Sequence, residues 1–342
     1  MTMFFSRKPL LSFLFLLFIL SPEYAAIAQG IAMPPVAVDF SRASRPVFPA
    51  ALFTDYLNAR AVEEAARSYW AATETEAAII ANSLPPESLL MNNDILAFYG
   101  HPRSKNMGIL GRYTKEELNE KLTVLSGEYQ AAGKRNVLKA FYLIFGTVWP
   151  GGDIGIIQES LLKEYVDYAL ENDILVFIDH QIGRFTPVDS LKRMLPWLKY
   201  PNVHLALDPE WRTTKPMQEI GTVSADEINQ VQRVMEDYMI ENQIPGERLL
   251  VIHQFNWRMI SGREKVNSNS SRVRLVHCAD GFGVPAVKRS SYAYNAQADN
   301  MPVKGFKLFY NFGIPGAGYD QPLLTPKEVF DLDPRPYIVM YQ

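Results

Sequence analysis

From position 95 to the last residue, 342, the chain repeats one pattern eight times, and that repetition constrains the fold more than any other feature. Short runs of apolar, β-branched and aromatic residues occur at 95–100 (ILAFYG), 138–145 (LKAFYLIF), 174–179 (ILVFID) and 203–208 (VHLALD). They recur at 249–255 (LLVIHQF), 273–280 (VRLVHCAD), 306–312 (FKLFYNF) and 337–342 (YIVMYQ). Most are separated by amphipathic segments such as TKEELNEKLTVLSGEYQAAG, IQESLLKEYVDYALEND, DSLKRMLPWLKY and SADEINQVQRVMEDYMIENQ, each with a Ser, Thr, Asp or Gln near its start to cap a helix. Strands buried on both faces read as continuous apolar runs, and their alternation with helices implies a parallel sheet. Eight such units imply closure into an α/β fold of the (β/α)8, TIM-like barrel type. The rival is an open doubly wound sheet, but GHPRSKNMGILG after the first run lacks the GxGxxG spacing of a phosphate-binding turn.

The barrel accounts for residues 91–342, and what precedes it reads differently. Arg7 and Lys8, the apolar run LLSFLFLLFIL at 10–20, and the small residues AIA before Gln29 have the form of a cleaved export signal covering 1–28. The run falls short of the roughly 20 residues of a membrane span, so no stable span is expected after cleavage. The expected location is secreted, periplasmic or cell-envelope. Residues 29–90 should form a Pro- and Ala-rich arm followed by Ala- and Glu-rich helices at 54–84. The eighth strand is followed by no helix within the sequence, so the last barrel helix is missing, and these N-terminal helices are expected to pack on the barrel in its place. One cysteine, Cys278, rules out an intrachain disulfide, and stability must come from the core. A net charge of −3 without any Lys/Arg run gives no electrostatic footprint for nucleic acid.

In a barrel of this kind, chemistry belongs to the C-terminal ends of the strands and the loops beyond them. The first run ends at His101, the second leads to Trp149, and the third ends in Asp179, His180 and Gln181. The fourth ends in Asp208, Glu210 and Trp211, and the fifth in His253, Gln254 and Trp257. The sixth ends in His277, Cys278 and Asp280, and the seventh in Tyr310. Four of the five histidines therefore fall at strand ends, together with acids and indole rings. Aromatic faces beside carboxylates and amides suit a carbohydrate, whose apolar faces stack and whose hydroxyls need fixed partners.

Glycoside hydrolysis needs a protonated acid at the leaving oxygen and a second carboxylate at the anomeric centre. Glu210 is the natural acid, because the charge of Asp208 two residues earlier would raise its pKa, and Asp179 and Asp280 are candidates for the second carboxylate. His101, Trp149, His180, Gln181, Trp211, His253, Gln254, Trp257, His277 and Tyr310 are candidate substrate contacts. A plainer alternative makes Asp208 a strand cap paired with Arg212 or Arg103.

The ending Asp208-Pro209-Glu210 after LAL resembles that of secreted bacterial barrel glycoside hydrolases of the lysozyme-type muramidase and chitinase groups. In those groups the Glu is the proton donor, so the resemblance implies that role for Glu210 and a glycan or polysaccharide as partner, with no cofactor. Two departures stand beside it: His101 occupies a strand end where such muramidases carry Asp, and the spaced Asp run of chitinases is absent. Two further classes remain open. Rim histidines with carboxylates would suit a metal-dependent hydrolase of esters, amides or phosphodiesters, although no HExxH or strand-end HxH occurs to mark a metal site. A barrel that binds glycan without catalysis is the other.

Overall fold

The protein is described here from a computed structural model covering residues 89–90 and 92–342. The export signal expected at 1–28, and all but the last few residues of the arm and helices expected at 29–90, lie outside the described residues. In chain order the strands are β1 (Asn93–Gly100), β2 (Asn136–Val148), β3 (Ile154–Ile156), β4 (Ile174–Gln181), β5 (Val203–Asp208), β6 (Val223–Ser224), β7 (Arg248–His253), β8 (Ile260–Ser261), β9 (Val273–Ala279), β10 (Lys304–Leu308) and β11 (Ile338–Tyr341). The helices are α1 (Lys115–Gly133), α2 (Glu159–Glu171), α3 (Pro187–Met194), α4 (Ala225–Glu241), α5 (Pro285–Ala296) and α6 (Pro326–Phe330).

Eight parallel strands follow one another around the sheet in the order β1, β2, β4, β5, β7, β9, β10, β11, and the β1–β11 pairing closes the ring. The α/β barrel read from the sequence is the observed fold. Its eight strands coincide with the eight apolar runs, apart from their ends. The short β3 adds an antiparallel flap on β2, and β6 pairs with β8 above the barrel.

Closure follows from the alternation of side chains along each strand. Ile95, Ala97 and Tyr99 of β1, Ala140 and Tyr142 of β2, and Leu175 and Phe177 of β4 fill the barrel interior with Ala206, Val251, Cys278 and Met340. The intervening residues, among them Leu96, Phe98, Phe141, Val176 and Leu205, form a larger core against the helices. Asp94 receives Arg135 from the start of β2 and Arg335 from the approach to β11, which ties the seam at the N-terminal end. Thr114 and Ser224 form reciprocal capping boxes with Glu117 and Glu227, so α1 and α4 start where the sequence signals them.

Two details differ from the sequence reading. The seventh strand stops at Leu308 instead of running to Phe312, because the Phe309 N–H donates to the Asp320 carboxylate at 3.0 Å and the chain leaves the ladder. Between β7 and β9 the described chain uses 3-10 turns, β8 and a loop in place of an α-helix. That loop, which its NSNSS composition marks as loose, is pinned where Ser271 donates through both N–H and hydroxyl to Glu236 of α4.

Candidate functional site

Strand registry gathers polar groups at the C-terminal mouth. Asp179 lies opposite Ala206, Gln181 opposite Asp208, and His253 opposite Cys278. Because Ala206 and Cys278 point inward, Asp179, Asp208 and His253 do so as well, and Asp280 follows Cys278 by the same two-residue step. Cys278 pairs in register with Gly305, so Lys307 also faces the interior. Each of these residues is almost fully buried.

The cluster is continuous. Tyr99 donates its hydroxyl to Asp179 Oδ2 at 3.2 Å, and the same oxygen lies 3.5 Å from His253 Nε2. The other ring nitrogen, Nδ1, lies 3.2 Å from Asp280 Oδ2, within ion-pair range but outside hydrogen-bond alignment. The Tyr142 hydroxyl is 2.8 Å from Nε2. The Lys307 ammonium sits 3.7 Å from the centre of the Tyr99 ring, which places a cation on the floor of the mouth.

Glu210 belongs to this group through local geometry. The Asp208 carboxylate caps the 3-10 turn Pro209–Trp211 by accepting the Glu210 N–H at 3.2 Å, so the two acids leave the end of β5 side by side. Glu210 is half-buried, while Asp179, Asp208 and Asp280 are closed off from solvent. Burial, then the charges of Asp208 and Asp280, push the Glu210 carboxyl well above the ordinary carboxylate range. Burial likewise takes Asp208 up to about 7, against the pull of His253 and with the help of Asp280 and Asp179. Burial opposes ionisation of Asp280 as well, but His253, Lys307 and Lys288 outweigh it and hold that carboxyl below its usual value. Burial disfavours a charged His253, yet Asp179 and Asp280 reverse the balance and raise its pKa well above that of free imidazole. One end of the barrel therefore holds carboxyls biased toward opposite protonation states, the arrangement acid–base chemistry requires.

The alternative pairing of Asp208 with an arginine is not what the structure contains. Arg212 lies 3.7 Å from Glu227, and Arg103 donates to Gln158 at 2.6 Å.

The remaining expected contacts divide. Trp149 and Trp257 are exposed beyond β2 and β7, at 52% and 51%, free to meet a ligand. Tyr310 stands over Tyr341, with ring centres 5.1 Å apart, beside a shallow cleft that Asn106, Phe312, Tyr319 and Gln342 also line. His101 is half-buried at the rim and accepts the Arg103 N–H through Nδ1.

Five expected contacts are held elsewhere. His180 follows Asp179 directly, so strand alternation turns it out of the barrel between Phe145 and Phe185, where Gly146 leaves room for its ring. His277 points outward too, with Nε2 2.7 Å from Gln254 Oε1 and Nδ1 3.3 Å from the Lys304 ammonium. That network occupies His277 and Gln254 both. Gln181 accepts the Val148 N–H at 2.8 Å, and Trp211 is folded by its 3-10 turn against Val148 and Met217. The rim histidines therefore do not converge. Among the described residues no group of three or more His, Cys, Asp or Glu side chains is placed to hold a metal ion.

Tyr99, Tyr142 and Lys307 also belong to the cluster, although they lie within the apolar runs and not among the polar strand ends. Their signal was present: each shares inward parity with small or apolar neighbours, and a lysine inside the buried run FKLF needs a partner within the barrel.

No family model matches the chain, and no curated protein matches it. Among solved structures, a chitinase from Chromobacterium violaceum is similar at a TM-score of 0.35 and 8% identity, over 63% of this chain and 68% of that one. Among the described residues no helix is long and apolar enough to cross a membrane.

Proposed function

We propose that the protein is a glycoside hydrolase acting on an extracellular or cell-envelope polysaccharide, with Glu210 as the general acid. The observation that supports this most is the pairing at the end of β5. A half-buried carboxyl with a raised pKa stands beside a buried one, fixed by the Asp208–Glu210 N–H hydrogen bond. Glu210 is the cluster carboxyl with surface open to a ligand, so it is the one able to protonate a glycosidic oxygen. Asp280, held charged, or Asp179 supplies the second carboxylate near the anomeric centre. Asp208 shares the exchangeable proton of the pair with Glu210 and fixes its position by accepting its N–H. Trp149, Trp257 and Tyr310 provide stacking faces.

Reducing-end release from a panel of plant, fungal and bacterial cell-wall polysaccharides tests the activity. Turnover that Glu210→Gln abolishes supports the assignment, and turnover that survives the substitution rejects it. Binding of a glycan with no product released would assign the barrel to recognition instead. Export is proposed on the signal at 1–28, and N-terminal sequencing of protein recovered outside the cytoplasm should begin at or near Gln29. Recovery of the intact N-terminus from the cytoplasm would overturn it.

A further inference from the structure

His253 stood among the expected substrate contacts, but it is wholly buried, and its surroundings point to another role. Titratable or charged groups from several strands surround it and its partners. Tyr99 comes from β1, Tyr142 from β2, Asp179 from β4, Asp208 from β5, Cys278 and Asp280 from β9 and its end, and Lys307 from β10. Both ring nitrogens face carboxylate oxygens, Nδ1 toward Asp280 at 3.2 Å and Nε2 toward Asp179 at 3.5 Å. An ionised carboxylate only accepts, so a neutral ring, which has a single N–H, would set a lone pair against one of them.

Tyr142 could satisfy a neutral Nε2 by donating to it, and charge balance decides between the two states. The mouth contains Asp179, Asp208, Asp280 and Glu210, and Lys307 faces them. Lys288 is engaged with Asp320 at 3.3 Å and with the carbonyls of Gly281 and Lys307. Oδ1 of Asp179 and Oδ1 of Asp280 have no hydrogen-bond partner, so these carboxylates depend on nearby positive charge. Buried carboxylates without counter-charge are strongly disfavoured. With His253 as a cation, two positive groups answer two carboxylates, and the remaining two acids can share a proton.

We propose that His253 is a positioning residue that stands as an imidazolium between Asp179 and Asp280, fixing both as carboxylates and leaving the exchangeable proton to Asp208 and Glu210. This rests on the glycosidase reading for its consequence in turnover, but not for its charge state. It assigns Asp280 and Asp179 to the charged role and Glu210 to the acid role.

The direct test is nitrogen-15 NMR of the labelled, otherwise unmodified protein, following all histidine rings from about pH 5 to about pH 9. The ring with nuclear Overhauser contacts to Tyr99 and Tyr142 should keep both nitrogens protonated at about pH 8, where a free imidazole is neutral. Tyr142→Phe should leave that ring charged. A neutral ring at that pH in the unmodified protein overturns the proposal, whether or not any variant folds. In turnover, His253→Gln should lower kcat about tenfold or more with KM nearly unchanged, and move the acidic limb of the pH profile upward by about one unit. A folded His253→Gln protein with wild-type kcat and an unmoved profile also overturns it. Absence of any glycosidase turnover in the unmodified protein would defeat the functional reading alone, and the NMR result would still decide the charge of His253.

Discussion

Strand β9 carries a buried polar cluster on each face, and the two are built differently. On the outer face His277, Lys304, Gln254 and Asn295 knit β9 and β10 to α5. Lys304 donates to the carbonyls of Asn295 at 2.7 Å and Ala298 at 2.9 Å, both nitrogens of His277 have partners, and both ends of the Gln254 amide are used. On the inner face, reached through Cys278 and Asp280, Oδ1 of Asp179 and Oδ1 of Asp280 lack hydrogen bonds, and burial raises the Asp208 pKa while neighbouring cations lower that of Asp280. A largely satisfied network, in which Oδ1 of Asn295 is the one unmet acceptor among these four side chains, stabilises a fold, whereas a cluster of four neighbouring acids with several unmet polar atoms costs stability and marks a candidate site. Burial alone does not separate them. The number of unmet acceptors and the sign of the charges do.

Substitutions on each face can break this contrast. The largest effect is expected from Glu210→Gln, which should cut kcat by about 10²- to 10⁴-fold, in steady-state kinetics, while the melting temperature at about pH 4, where the carboxyl holds its proton in the folded protein, stays within a degree or two (about 1 kcal/mol or less). Lys304→Met, on the outer face, should do the opposite. It strips two buried carbonyls and His277 of their donor and should cost about 3 kcal/mol, read as a fall of about 6 °C or more in calorimetry, with kcat per folded molecule retained. If Lys304→Met abolished turnover without loss of stability, the division between the faces would be wrong.

Asp208→Asn probes the stability cost of the inner cluster through pH. A carboxyl whose folded pKa lies near 7, above its unfolded value, holds its proton better in the native state, so its contribution is complete in acid and is lost as pH rises through that range. Asn keeps the cap acceptor but cannot ionise. The variant should therefore melt about 3 °C or more above wild type at about pH 8 and level with it at about pH 4. Equal melting points at both would show that Asp208 carries no such burden. The smallest effect is expected at the rim, where Trp257→Ala removes an exposed ring. Thermal stability should change by less than about 1 kcal/mol, and KM for a polymeric substrate should rise a few-fold, about 1 kcal/mol of stacking.

The same contrast explains what could be read from sequence. Strand positions were legible because buried parallel strands are apolar almost throughout, and Asp179, Asp208 and Asp280 were legible because acids interrupt such runs at their ends. Neighbouring positions then misled. His180 and His277 lie one residue from inward groups, and the two-residue period sends them to the other face. Trp211 looked like a sugar platform beside Glu210, but the turn begun by Pro209 folds it under the chain. Tyr99, Tyr142 and Lys307 were hidden for the reverse reason, since they sit inside the runs and not at the polar ends.

On the proposed reading, Glu210 meets the scissile bond at a mouth whose other acids are held in place around it. A crystal structure of the Glu210→Gln protein with a bound oligosaccharide from its best substrate tests this most directly. With Glu210 as the acid, a glycosidic oxygen should lie within about 3.2 Å of the residue-210 side chain, with the neighbouring anomeric carbon facing Asp280 or Asp179. An oligosaccharide seated with its glycosidic oxygens out of reach of residue 210 would contradict it.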